Sequence, residues 1–195
     1  MADSQTLGDT KFFDYIFQSG RTVLYPIYQG TYERRVKGVL PGTSQDLEYM
    51  TERYKDLARS IDYLETRSDI DRNKLAYLGV SMGSAEGVIF TALAQDRLKA
   101  VVFLDGGYFL YTPPAGGDQA DFAPRLKKPV MMVNGRFDYV FSVDTAQDPL
   151  FKMLGTPAAD KRHVEFDTPH DVTERRADLI QNVLAWLDKS LGRVD

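Results

Sequence analysis

The sequence predicts an α/β protein whose mainly parallel sheet is covered by helices on both faces. Several short runs are apolar throughout, which is typical of strands buried on both faces. Segments of helical periodicity alternate with these runs, an order typical of parallel strands joined by crossover helices. With 195 residues, the chain is long enough for one sizeable core and too short for two. We therefore expect residues 1–195 to form a single domain.

The first third of the chain predicts a short helix, a strand, a loop and a long helix. Apolar side chains recur at helical spacing over residues 12–17. Residues 22–25 form a compact apolar run closed by Pro26, which indicates a buried strand followed by a surface loop over 29–42. From residue 47 to residue 64 the apolar positions are spaced by three and four. This is the clearest helix in the sequence.

The rest of the chain alternates strands and helices around one long loop. Further helices are expected over residues 85–94 and 172–191, the second with a continuous apolar face. Residues 106–128 mix Gly, Pro and Asp with aromatic side chains, which predicts a long loop, and long loops beyond strand ends are often functional. The expected strands cover residues 75–78, 100–104, 130–133 and 163–166.

Composition excludes several classes of function. The formal net charge is −4 and charged residues form no long runs, so we expect neither nucleic acid nor a membrane as partner, and a small molecule instead. The absence of cysteine excludes disulfides, thiolate nucleophiles and cysteine metal sites. No apolar run approaches the roughly 20 residues of a transmembrane helix, and no signal peptide is visible. A cytoplasmic location is expected, although an upstream signal could lie outside this chain.

A G-x-S-x-G motif, residues 79–83, lies between the strand ending at Leu78 and the next helix. This is the context that a nucleophile elbow requires. Glycines two before and two after the serine relieve the crowding of a sharp turn, which holds the Ser81 hydroxyl above the sheet. The N–H of Met82 then points to where an oxyanion would form, at the positive end of the helix. Ser81 is the candidate nucleophile; the alternative is a turn that merely lets the helix pack closely on the strand.

A serine nucleophile needs a base, and the chain has two histidines. His163 lies at the start of an apolar run, where a structural or exposed histidine is the better interpretation. His170 follows that strand and precedes the last helix, so its loop can reach the serine. We therefore expect His170 to be the base.

In folds that carry their serine on a G-x-S-x-G elbow, the acid comes between serine and histidine along the chain. Asp138 follows the strand over residues 130–133 and is the preferred candidate to orient His170 and stabilise the imidazolium. Asp105, which ends the preceding strand, is the competing candidate. Asp144 and Asp171 are weaker ones. A triad of this kind calls for no metal and no cofactor.

Aromatic residues flank the strand ends that carry Asp105 and Asp138. They could line a substrate pocket or pack among themselves, and both interpretations are kept. The candidate pocket residues are Tyr108, Phe109, Tyr111, Tyr139 and Phe141.

These features together resemble the α/β-hydrolase superfamily. The resemblance rests on the string Ile70-Asp71-Arg72-Asn73 leading into the motif of residues 79–83, the turn over residues 135–138 and the late His170. Within the superfamily the chain most resembles the dienelactone-hydrolase and prolyl-oligopeptidase-like branch, which includes acetyl-xylan-esterase-like enzymes. The resemblance implies a serine hydrolase of carboxylesterase type, which cleaves a small carboxylic ester through an acyl-Ser81 intermediate.

The chain departs from that family at its N-terminus. Family members carry further strands upstream, and a loop after one of them supplies a second oxyanion N–H, whereas residues 1–7 here show neither. The resemblance therefore implies an N-terminally shortened fold with an exposed sheet edge, through which a homo-oligomer could form. It also leaves an alternative, a weak or inactive binding or interaction module with an incomplete oxyanion hole. A peptidase ranks below both.

Overall fold

Four parallel strands form one sheet in the order β1-β2-β3-β4. The structure, a computed structural model, describes residues 10–35 and 38–194. Each strand pairs with the next along the chain, so that Val80 lies opposite Leu104 and Leu104 opposite Val133. The strands are β1 (Ala76–Val80), β2 (Ala100–Leu104), β3 (Val130–Gly135) and β4 (Lys161–Phe166).

Helices connect and cover these strands. A 3-10 turn, Val172–Arg175, leads directly into the last helix, and a π-helical turn, Val143–Gln147, leads into the fifth. Among the residues that the structure describes, every helix is too short or too polar to cross a lipid bilayer. The helices are α1 (Asp14–Gln18), α2 (Ser44–Thr66), α3 (Met82–Ala94), α4 (Gln119–Phe122), α5 (Asp148–Met153) and α6 (Arg176–Leu191).

The sheet separates two apolar clusters, as expected for strands buried on both faces. Every residue of β2 is buried, and successive side chains alternate between the faces. Val101 and Phe103 pack with α2 and α3, whereas Val102 and Leu104 pack with α1 and α6. The predicted fold class, a mainly parallel sheet with helices on both faces, is therefore confirmed.

The strand predicted over residues 22–25 is wrong. These residues form no strand, and each of them is half-buried or exposed instead of buried. Their apolar character has another cause, because Val23 packs against the cluster around α6 and the Tyr25 ring stacks on Phe13 with centroids 5.4 Å apart. An apolar run of four residues cannot by itself distinguish a strand from a segment that packs onto the core.

The other predicted elements are present with shifted ends. Helix α3 begins three residues before its predicted start, since the turn at Ser81 leads into it directly. The long loop expected over residues 106–128 is mostly irregular but contains α4 and a short 3-10 turn. Residues 1–7, on which the expectation of missing upstream structure was based, lie outside the described residues.

Candidate active site

Ser81 lies at the sharp turn between β1 and α3. Its φ is 51° and its ψ −114°, a conformation that residues with a Cβ rarely adopt. The turn is so tight that a Cβ on Gly79 would overlap the carbonyl oxygen of Gly83. A Cβ on Gly83 would approach nothing closer than the Tyr77 hydroxyl, at 3.9 Å. The steric reason expected for both glycines of the motif therefore holds at Gly79 and fails at Gly83.

Met82 is the first residue of α3, so its N–H has no carbonyl partner within the helix. It follows Ser81 directly and lies at the positive end of the helix dipole. The Met82 side chain is exposed. This backbone group can donate to an anion formed beside the Ser81 hydroxyl.

Ser81, His170 and Asp138 are linked by two hydrogen bonds. Ser81 Oγ lies 2.9 Å from His170 Nε2, and His170 Nδ1 lies 2.8 Å from Asp138 Oδ2. The other carboxylate oxygen of Asp138 accepts the N–H groups of Val140, at 2.7 Å, and Phe141, at 2.9 Å. The Asp138 carboxylate is thus buried and oriented through both oxygens, and it fixes which imidazole nitrogen faces the serine.

The loops after β3 and β4 run in close contact, which brings Asp138 to His170. Arg136 N–H donates to the Phe166 carbonyl at 2.7 Å, and Phe137 N–H donates to the Thr168 carbonyl at 3.0 Å. A Cβ on Gly135 would overlap the Pro169 carbonyl oxygen. The absence of a side chain at position 135 is therefore what lets these two loops approach.

None of the competing acid candidates takes the place of Asp138 at the His170 ring. Asp105 is buried at the end of β2, where its Oδ2 accepts the Val172 N–H at 3.1 Å and burial raises its pKa to about 7. Asp171 pairs with Lys11 at 2.5 Å, and Asp144 is exposed. The structure places Asp138, and none of these three, against the ring nitrogen of His170.

The second histidine is part of the sheet. His163 lies on β4, its Nε2 is 3.1 Å from the Asn134 side-chain oxygen, and burial lowers its pKa. Within the described residues it also forms a group with Asp148 and Glu165, whose ligand atoms lie within 4.8 Å of one another and could hold a cation. Both carboxylates already have cationic partners. These are Lys152, 2.9 Å from Asp148, and Arg136, 3.4 Å from Glu165.

The five aromatic pocket candidates do not share one environment. Phe141 is buried, with its ring centroid 6.0 Å from that of His170. Tyr139 is 84% exposed beside the acid. Phe109 is buried and packs on Tyr111 at 4.9 Å, and the Tyr108 hydroxyl donates to Asp118 at 2.8 Å. Phe141 and Tyr139 thus lie next to His170 and Asp138, whereas Phe109 packs on Tyr111 and Tyr108 bonds Asp118.

Two buried glutamines hold the loops of this site through hydrogen bonds to the backbone. They were not identified from the sequence. The Gln147 side-chain amide donates to the carbonyls of Gly135, at 2.9 Å, and Phe141, at 2.7 Å, on either side of Asp138. Gln119 is likewise fully buried, and its oxygen accepts the Phe109 N–H at 2.6 Å. Because glutamine is mostly exposed in proteins, no sequence pattern marks these two positions.

Comparison with known proteins supports the fold. No protein-family model and no curated protein matches this sequence. A cold-adapted esterase from an Arctic intertidal metagenomic library is 20% identical with a TM-score of 0.60, over 75% of this chain and 58% of the esterase. A monoacylglycerol lipase from Paleococcus ferrophilus is 15% identical with a TM-score of 0.65, over 92% of this chain and 88% of the lipase. An acylaminoacyl peptidase from Pyrococcus horikoshii is 14% identical with a TM-score of 0.61, over 75% of this chain and 28% of the peptidase.

The chain therefore spans about three-fifths of the esterase and less than a third of the peptidase. At these identities the likeness concerns the arrangement of the backbone. With its four parallel strands, helices on both faces and serine at the strand-to-helix turn, the chain has the α/β-hydrolase fold.

Proposed function

We propose that this protein is a serine hydrolase that cleaves a small carboxylic ester. The observation that carries the proposal is the continuous contact from Ser81 Oγ through the His170 ring to Asp138. A serine hydroxyl is a poor nucleophile unless a base takes its proton, and the base must in turn be oriented by a third group. The three residues meet both requirements.

The reaction has two acyl-transfer steps. His170 Nε2 accepts the Ser81 proton as Oγ bonds to the ester carbonyl carbon, and the Met82 N–H stabilises the resulting oxyanion. His170 then gives the proton to the departing alkoxide oxygen as the C–O bond breaks, which leaves acyl-Ser81 and an alcohol. In the second step His170 takes a proton from water, the hydroxide oxygen bonds to the acyl carbon, and the proton returns to Ser81 as the carboxylic acid leaves.

Two observations support an ester as substrate. Phe137, Tyr139 and the Met82 side chain are exposed near Asp138 and Ser81, so apolar surface is available for an acyl or alcohol group. The proteins with the same fold also include an esterase and a lipase, of which the chain spans 58% and 88%.

The test combines a fluorophosphonate probe with p-nitrophenyl esters of increasing acyl length. We expect the wild-type chain to be labelled once, at Ser81, and to hydrolyse short acyl esters, with both signals lost in Ser81→Ala. Ser60→Ala is the matched control, because Ser60 lies on α2 and its hydroxyl donates to the Asp56 carbonyl. A wild-type chain that is folded but neither labelled nor active would contradict the proposal and favour the alternative, a binding module.

A further inference from the structure

Asp105 is a buried carboxyl beside the triad to which the proposed reaction gives no role. It follows β2, is 1% exposed, and has a φ of 50°. Ser81, which follows the neighbouring strand β1, has a similar φ of 51°. Such conformations cost free energy for a residue with a Cβ, persist only where the surroundings hold them, and cluster at functional sites. Two strand ends that meet at the site thus carry the same kind of strained residue.

The Asp105 side chain reaches the loop that carries His170. Its Oδ2 accepts the N–H of Val172, two residues beyond His170, at 3.1 Å. Val172 is fully buried and begins the 3-10 turn that leads into α6. This hydrogen bond therefore connects the end of β2 to the segment whose position determines where the imidazole lies.

Three titratable groups face the Asp105 carboxyl. The groups that face it are the carboxylates of Asp138 and Asp171 and the imidazole of His170, and Lys11 pairs with Asp171. Oδ1 of Asp105 is buried without a hydrogen-bond partner among the described residues. Because burial raises the pKa of Asp105 to about 7, its charge is only partly present near neutral pH, whereas Oδ2 can accept the Val172 N–H in either protonation state.

We propose that Asp105 is a positioning residue of the Ser81 triad, which fixes the His170 loop through the Val172 N–H. The inference rests on the proposed hydrolase function. Asp105 acts through the backbone of the loop, whereas Asp138 bonds the imidazole itself. The role requires an acceptor oxygen at this position and does not require a negative charge.

Two substitutions separate the acceptor from the charge. Asp105→Asn keeps an acceptor oxygen and removes the charge. Asp105→Gly removes the acceptor and suits the backbone, because glycine adopts a positive φ without strain. We expect Asp105→Gly to lower kcat by up to about a hundredfold with KM little changed, as for a misplaced catalytic group. Asp105→Asn should keep kcat within about threefold of the wild type, because its amide oxygen can still accept the Val172 N–H. If Asp105 acted through its negative charge, this variant would lose activity as well. Asp96→Asn, an exposed site, is the charge control.

Two kinetic outcomes would overturn the proposal. One is an unchanged kcat in Asp105→Gly. The other is a loss in Asp105→Asn as large as that in Asp138→Asn, which would make Asp105 a charge-bearing acid.

Hydrogen exchange at the Val172 amide tests the anchor independently of any activity. It should accelerate in Asp105→Gly and stay slow in Asp105→Asn and in the wild type. Equal exchange in all three would also overturn the proposal. If the wild type shows no turnover and no probe labelling, the proposed function fails, and the exchange measurement still decides whether Asp105 anchors the loop.

Discussion

At the scale of single residues, the Asp138 carboxylate shows how fully the site is oriented. One oxygen bonds the His170 ring and the other accepts two backbone N–H groups from its own loop. Gln147 then ties the backbone on both sides of that loop through its side-chain amide. The Asp138 carboxylate is thus held in one orientation by its neighbours, which is the preorganisation that the acid of the proposed triad requires.

The two histidines should respond to substitution in opposite ways. His170→Ala should abolish ester turnover, because it removes the base that lies 2.9 Å from Ser81 Oγ. His163→Ala should keep turnover but lower the free energy of unfolding by about 1–3 kcal/mol, since the buried Asn134 oxygen loses its partner. Ester hydrolysis and urea unfolding of both variants check this. Loss of turnover in a folded His163→Ala would contradict the assignment of the base.

At the scale of elements, a sequence motif and two residues that follow strands made the candidate site predictable. The G-x-S-x-G string, the acid after β3 and the histidine after β4 could all be placed from the order of apolar runs, and the structure brings Ser81, Asp138 and His170 together. The segment over residues 22–25 was misinterpreted because its apolar side chains pack on the core without sheet pairing. The sequence carried no sign of Gln119 and Gln147, since their roles depend on carbonyl groups brought together only by the fold.

The elbow offers a matched pair of glycine substitutions. Gly79→Ala should destabilise the fold by about 1–3 kcal/mol or more and lower turnover, because its Cβ would overlap the Gly83 carbonyl across the turn. Gly83→Ala should be tolerated, since its Cβ has room and alanine favours the helix by up to about 1 kcal/mol. Thermal unfolding and p-nitrophenyl ester turnover of the two variants test the difference. Equal stability and turnover in the two variants would contradict the prediction, because the turn would then accommodate a Cβ at residue 79.

At the scale of the whole molecule, we expect Asp105 to make the free energy of unfolding depend on pH. Burial raises its pKa in the folded protein from 3.8 to about 7, whereas the unfolded chain exposes the carboxyl to water. Between these values the folded state binds more protons than the unfolded state, so this group's contribution makes the free energy of unfolding fall as pH rises from about 4 to about 7. Asp105→Asn should weaken that fall. Urea unfolding at pH 5 and pH 8 measures the change in the free energy of unfolding, with Asp96→Asn as the control. An equal change in Asp105→Asn and in the wild type would contradict the prediction.

The open edge of the sheet leads to a prediction about assembly. Strand β1 has a partner on one side only within the described residues, and Ala76 on it is exposed. Unpaired strand edges tend to associate, and a lysine on such an edge opposes association. We therefore expect the chain to form a homo-oligomer that Ala76→Lys weakens and that Ala115→Lys, on an exposed loop, leaves intact. Light scattering gives the mass of each variant, and a monomeric wild type would contradict the prediction.

The distance along the chain between Ser81 and His170 has a consequence for folding. Their hydrogen bond joins residues 89 positions apart, whereas the contacts inside α2 and α3 are local. Contacts between distant residues form slowly because a long loop must close before they stabilise the chain. Local helical contacts can therefore form before Ser81 meets His170, so the proposed hydrolase activity would require the long-range contacts of the complete fold.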